Sequence, residues 1–233
     1  MKIKALDIRG IPYRVRTSKS KKRKITISIK DEAIVNILYH PLMSSTVINE
    51  FVENHIKWIE EKYLEKYHPK REYKNNERYL FLGEEYILHV VEYPKNEVFI
   101  EGKYLVIHTK NNTYEYNRKL VLNFLKSQIE DVFNILLDKC FNNMKHLLKS
   151  YPKLAYRRYK SRWGCCYVHK NMIILNTSLI HVPLRLIECV IYHELTHLIQ
   201  ANHTKEFYKV FDLFVPNSKK VQKELKQYST VYE

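Results

Sequence analysis

At 233 residues the chain can bury a sizeable core as one large or two small domains, and 45% hydrophobic with 28% charged residues exclude a disordered chain. The net charge of +15 lies at the two ends: residues 1–70 hold 15 basic and 8 acidic residues, 71–144 hold 10 and 11, and 145–233 hold 15 and 6. Basic ends favour a polyanion as partner, because phosphate contacts release counterions. The opening MKIKALDIRGIPYRVR has no apolar run, and the uncharged stretch Asn171 to Leu184 is too short and polar to cross a bilayer, so the expectation is a cytoplasmic protein without a membrane anchor. Cys140, Cys165, Cys166 and Cys189 show no CxxC spacing and are too few for a disulfide scaffold; they read as reduced thiols in or near the core.

Residues 10–39 alternate as strands do, through Tyr13 and Val15, then Ile25, Ile27 and Ile29, then Ile34, Val35 and Ile37, with the basic run SKSKKRK between the first two. A β-meander is expected there. After Pro41, Ser44 and Ser45 offer an N-cap, and Val47, Ile48, Phe51, Val52, Ile56 and Ile59 recur at helical spacing to about Tyr67. His68 to Arg78 is polar and aperiodic and reads as a connection. YLFLGEEYILHVVEY, EVFIE and KYLVIHT follow as short strands separated by Gly83, Pro94 to Asn96, and Gly102.

Asn117 is the expected cap of a long helix to about Lys149, with Val121, Leu125, Ile129, Leu136, Cys140 and Met144 on its inner stripe, ended by Pro152. LAYRRYK and MIILN then read as two strands of a hairpin around Gly164 and the turn-like HKN at 169–171. Pro183 sits near the start of a helix carrying Leu186, Ile187, Val190, Ile191, Leu195 and Leu198, and two shorter helices are expected over about 204–214 and 218–228, the second with Asn217 as N-cap.

The helix that starts near Pro183 runs into the stretch HELTHLIQANH, from His193 to His203. On a helix, His193 and His197 lie one turn apart on one face, so both imidazoles can reach a single zinc ion. Glu194 then projects beside the metal, where it can take a proton from a water whose pKa the metal has lowered to roughly 7. His203 lies far enough beyond His197 for the helix to end and the chain to turn back as a third ligand, helped by Asn202, which tolerates the left-handed conformation. Leu195, Leu198 and Ile199 between the ligands are apolar, as a buried helix demands. Metzincins share the HExxHxxxxxH spacing, but they have glycine where this chain has Gln200 and a downstream methionine turn, and no methionine follows Met172 here.

Three further stretches, KSRWGCC (Lys160 to Cys166), LNTSLIHVP (Leu175 to Pro183) and NHTKEFY (Asn202 to Tyr208), together with IPYRVRTSKSKKRKITISI, KWIEEK and YLFLGEEY, resemble the YgjP-like metallopeptidase family, related in its zinc motif to SprT-like and WLM-domain proteins. The chain departs from that pattern at Cys165 and Thr204, where serine is usual, and at Tyr208, where tryptophan is usual; no departure removes a ligand. The resemblance implies an α+β fold, with a β-rich amino-terminal region over 1–115 serving substrate or partner binding. A zincin-like helical domain with a small antiparallel sheet is then expected over 116–233. It also implies zinc on His193, His197 and His203 and Glu194 as general base. Arg162, Trp163 and Asn176 are candidate substrate-binding residues, each equally readable as structural. Phe207 and Tyr208 read as packing.

The expected function is a zinc-dependent metallopeptidase acting on a peptide or protein. Two alternatives stay open: phosphohydrolysis of a nucleotide at the same site, disfavoured because only four glycines leave no phosphate-cradling loop, and a nucleic-acid-binding module with an associated protease site.

Overall fold

The computed structural model describes residues 6, 8–29, 34–66 and 71–228. The helix end expected near Tyr67 and the first part of the 68–78 connection lie outside them. The chain divides into two compact units, Met1–Lys70 and Arg71–Glu233, so the strands expected of a region over 1–115 are shared between the two. The α+β class is as expected.

In the first unit, β1 (Tyr13–Thr17), β2 (Ile25–Ile29) and β3 (Val35–Tyr39) precede α1 (Ser45–Asn54) and α2 (Ile56–Lys66). The strand positions agree with the alternation, but the order is β1-β3-β2, with β1 parallel to β3, and not a meander. Alternation fixes which face of a strand is buried and says nothing of its neighbour. The SKSKKRK run is far longer than a two-residue hairpin turn and lets β2 take the far side of β3. Val35, Ile37, Ile48, Val52 and Ile59 form the core of this unit. Ser44 caps α1, its hydroxyl accepting from the Val47 amide at 3.4 Å. The single helix expected here is two helices, because His55 diverts the ladder: its ring Nδ1 donates to the Phe51 carbonyl at 2.7 Å, and its amide turns to Val52 instead.

The second unit runs through β4 (Arg78–Phe81), β5 (Glu84–Glu92), β6 (Glu97–Glu101), β7 (Tyr104–Thr109), α3 (Tyr114–Met144), β8 (Lys153–Arg157), β9 (Gly164–Tyr167), β10 (Met172–Asn176), α4 (Leu184–Ile199), α5 (Lys205–Phe214) and α6 (Ser218–Leu225). Its larger sheet has the order β4-β5-β7-β6 and its smaller the order β8-β10-β9. β9 and β10 are the hairpin partners, with Asn171 in the left-handed conformation at the turn, whereas β8 lies parallel to β10 on its other side. The small sheet is therefore mixed, and the hairpin expected between 154–160 and 172–176 is replaced by these two pairings. In each of the three sheets one strand lies parallel to the third of its group and the intervening strand lies antiparallel beyond it.

α3 buries Val121, Leu125, Phe133, Leu137 and Cys140 against Tyr79, Phe81, Leu105 and Ile107 of the larger sheet and Leu186, Ile191 and Leu195 of α4 in one continuous core. Each fully buried aliphatic or aromatic side chain contributes about 1.5–3 kcal/mol of transfer free energy. The helix starts earlier than expected, with Thr113 at its N-cap. Asn117 lies inside the first turn and is buried, and its amide donates to the Tyr73 carbonyl at 3.1 Å and to Asn112 Oδ1 at 2.9 Å. Among the described residues no helix is long and apolar enough to cross a membrane, and all four cysteines are free thiols, Cys140 and Cys189 being buried.

The β4–β5 turn fixes the approach to α4. The Leu82 and Gly83 amides donate to the Ile180 and His181 carbonyls at 2.8 and 3.2 Å, and His181 Nδ1 donates to the Leu80 carbonyl at 2.6 Å. Gly83 has φ +85°, and a Cβ there would lie 2.5 Å from Pro183 Cγ, so only glycine admits the turn this close to the N-cap of α4.

Candidate metal centre

α4 forms because Leu186, Ile187, Val190, Ile191 and Leu195 recur at helical spacing and all become buried. Pro183 opens it as N-cap. The helix stops at Ile199, the Gln200 amide closing on the Thr196 carbonyl at 2.8 Å, and the following turn brings His203 back beside the helix. His193 Nε2 lies 3.2 Å from His197 Nε2 and 3.0 Å from His203 Nε2. Ligand atoms of the three residues all lie within 4.8 Å of one another. Nitrogens bound tetrahedrally at roughly 2.0–2.1 Å stand roughly 3.3 Å apart, so this spacing fits one zinc-sized ion.

The electrostatics agree with that fit. Burial, reinforced by the neighbouring His197 and His203, pushes His193 down to about 3, and burial also holds His197 below the usual imidazole range. Neutral imidazoles keep lone pairs for a cation. His197 Nδ1 donates to the Gln200 carbonyl at 3.3 Å, which leaves Nε2 as its acceptor nitrogen. Phe207 of α5 is wholly buried and backs all three rings, with centroid separations of 5.0, 4.7 and 4.8 Å to His193, His197 and His203. The packing expected of Phe207 is thus packing against the histidines themselves. Tyr208 packs on Phe207 at 5.4 Å and meets the His203 ring at 6.5 Å.

Glu194 faces β9. It is only 5% exposed, and burial pushes its carboxyl up to about 8 against the opposing pull of the Arg162 guanidinium. A divalent ion at the adjacent nitrogens would draw it back toward the ionised form. Gly164 makes room for this side chain: a Cβ at that position would lie 2.5 Å from Glu194 Oε1 and 2.9 Å from its Cδ. In the sequence Gly164 stands only within KSRWGCC, in a short stretch between two strands; its adjacency to Glu194 is a cross-element contact that no spacing rule reveals.

A cleft of about 390 Å³ holds His193, Glu194, His197 and His203 on one side and Gly164, Cys165 and Cys166 on the other. A cavity of about 270 Å³ adjoins it through Glu194 and Arg162, walled by Trp163, Val190, Leu225 and Lys226. Arg162 and Trp163 therefore line the site. Asn176 does not: it is fully buried, its amide donating to the Tyr159 and Arg162 carbonyls at 2.9 Å each while its oxygen accepts from the Ser178 amide at 3.0 Å. Its polar atoms are spent holding the loop that carries Arg162 and Trp163.

Among known proteins, the family model described as YgjP-like, metallopeptidase domain, matches residues 23–228. No curated protein matches the sequence. One solved structure with a partial likeness is the crystal structure of the metallopeptidase zymogen of Pyrococcus abyssi abylysin, 16% identical, with a TM-score of 0.37, covering 40% of this chain and 90% of that one. The family match runs from the β1–β2 connection to beyond the end of α6, and the chain belongs to the YgjP-like metallopeptidase domain family.

Proposed function

We propose that the chain is a zinc-dependent peptidase in which His193, His197 and His203 hold the metal and Glu194 is the general base. The observation that carries this reading is the convergence of three imidazole nitrogens, His197 Nε2 and His203 Nε2 lying 3.2 and 3.0 Å from His193 Nε2, beside a buried carboxyl group in one open cleft. When bound, the metal supplies Lewis acidity toward a water and the scissile carbonyl. Glu194 takes the proton of the attacking water and delivers it to the leaving amine, work suited to a carboxyl whose environment can be tuned across neutral pH. Its burial against Gly164 restricts where that proton can be held. Arg162, at the junction of cleft and cavity, carries fixed positive charge toward the oxygen that becomes negative during attack.

A peptide is the substrate this cleft suits. β9 pairs only with β10 among the described residues, so its outer edge has free backbone groups along the same wall as Gly164, and an extended peptide can add to it as a strand. The Met1–Lys70 unit, with SKSKKRK between β1 and β2, is assigned to partner or substrate binding. A polyanion held there would be released by salt.

The test is metal content by elemental analysis of the wild type, His197→Ala and Glu194→Gln, with peptide and nucleoside triphosphate turnover on the same samples. One zinc per chain, lost in His197→Ala and kept in Glu194→Gln, with peptide turnover lost in both, is the expected result. Full turnover by Glu194→Gln would remove it as general base, and metal-dependent triphosphate turnover without peptide turnover would reassign the substrate.

A further inference from the structure

A second cavity, of about 410 Å³, lies between α3 and the end of the small sheet and shares no lining residue with the cleft or cavity at Glu194. That volume falls in the ~300–1,000 Å³ range of small-molecule sites. Its α3 wall is a single stripe, since positions 118, 122, 125, 126 and 129 recur three and four residues apart. Leu125, Ile129 and Ile180 are buried and form an apolar floor, which half-buried Leu122 extends toward the opening.

The rim is different in character. Arg118 is half-buried, and Lys126 and Arg158 are exposed. None of the three forms an ion pair among the described residues. The one acidic side chain at the opening is Glu130, so the rim carries three positive charges against one negative. Three cations around one opening repel one another, and an anion seated there relieves that repulsion. A bare anion would leave the apolar floor wet, whereas an uncharged apolar molecule would leave the cations unused. We propose that this cavity is a binding site for a small molecule with an anionic head and an apolar body, the head at Arg118, Lys126 and Arg158 and the body over Leu125, Ile129 and Ile180.

The test is isothermal titration calorimetry on the full chain with octanoate as probe. Octanoate should bind one per chain. Butyrate, four methylenes shorter, should bind on the order of 100-fold more weakly, and heptyltrimethylammonium, with the same alkyl tail and the opposite charge, at least about 10-fold more weakly. Lys126→Glu combined with Arg158→Glu should weaken octanoate by at least about 10-fold. Both positions are exposed, so this variant tests charge with little demand on packing. Leu122→Trp, which fills the opening without altering charge, should weaken binding comparably, with circular dichroism confirming the fold of each variant. No octanoate binding up to millimolar concentration, equal binding of the cationic analogue, or binding untouched by the charge reversal would overturn the assignment.

Discussion

Replacing Gly164 by alanine isolates the geometry of Glu194 from the rest of the site. The backbone of Gly164 is not in the left-handed region, so alanine adopts it without conformational cost and the effect is steric alone. The new Cβ would stand 2.5 Å from Glu194 Oε1 and 2.9 Å from both Cδ and Cγ, where ordinary contact begins at 3.4 Å; the carboxyl group must therefore retreat by about 0.9 Å. The room for that retreat is the cleft and the cavity that Glu194 lines, so the carboxyl group leaves its place against β9. Misplacing a reacting group by about 1 Å costs about 10²-fold in rate, equivalent to ~2.7 kcal/mol of barrier. The assay is kcat/KM on the peptides that the wild type cleaves, with metal content measured on the same samples. A fall of about 100-fold with the metal retained is expected, because the three atoms nearest the new methyl group's position all belong to Glu194 and none to an imidazole. Activity within about threefold of wild type would show that Glu194 is not held against β9 during turnover, and the steric argument would fail.

Asn176→Ala strips the partners from the Tyr159 and Arg162 carbonyls and the Ser178 amide; at about 1–3 kcal/mol for an unsatisfied buried group, the thermal midpoint should drop by roughly 5–10 °C, and Asn176→Asp should be worse, since it turns an acceptor on two carbonyls. Gly83→Ala forces a Cβ against Pro183 Cα at 2.8 Å in a backbone with φ +85°, so a loss of about 2–4 kcal/mol in denaturant unfolding is expected; an unchanged midpoint would contradict the close approach. Burial pushes the Cys140 and Cys189 thiols up to about 12, above the ordinary 9.0. A maleimide at pH 8 should therefore leave both unmodified until denaturant is added. Because the folded-state values are raised, their contribution to stability is fully present below pH 9 and is lost as pH rises from about 9 toward 12, which alkaline unfolding curves of the wild type and Cys189→Ala would resolve.

What the sequence discloses here follows from what local patterns encode. The presence and order of α3 to α6 are legible because apolar residues recur on one face, and the spacing of His193, His197 and His203 is enough to single out the three imidazoles that the fold brings together. Strand pairing is not legible, since Tyr13, Val15 and Ile25 bury the same face whichever neighbour they take. Nor is the start of α3: both Thr113 and Asn117 are acceptable caps by residue type, and the choice is made by Tyr73, whose carbonyl takes up the Asn117 amide from 44 positions away. Asn176 shows the same limit at the site. Its amide could serve a substrate or a loop, and only the carbonyls of Tyr159 and Arg162 around it decide for the loop.

The strand order common to the three sheets has a consequence for how the chain acquires its structure. Every strand pairing among the described residues closes within 13–39, 78–109 or 153–176. No strand waits for a partner from a distant part of the sequence, so the loop-closure entropy that slows most β-rich proteins is met in short instalments. During synthesis each sheet can assemble as soon as its own segment has emerged. The histidine-bearing helix α4 comes later than all three and docks on a framework whose β9 wall already stands.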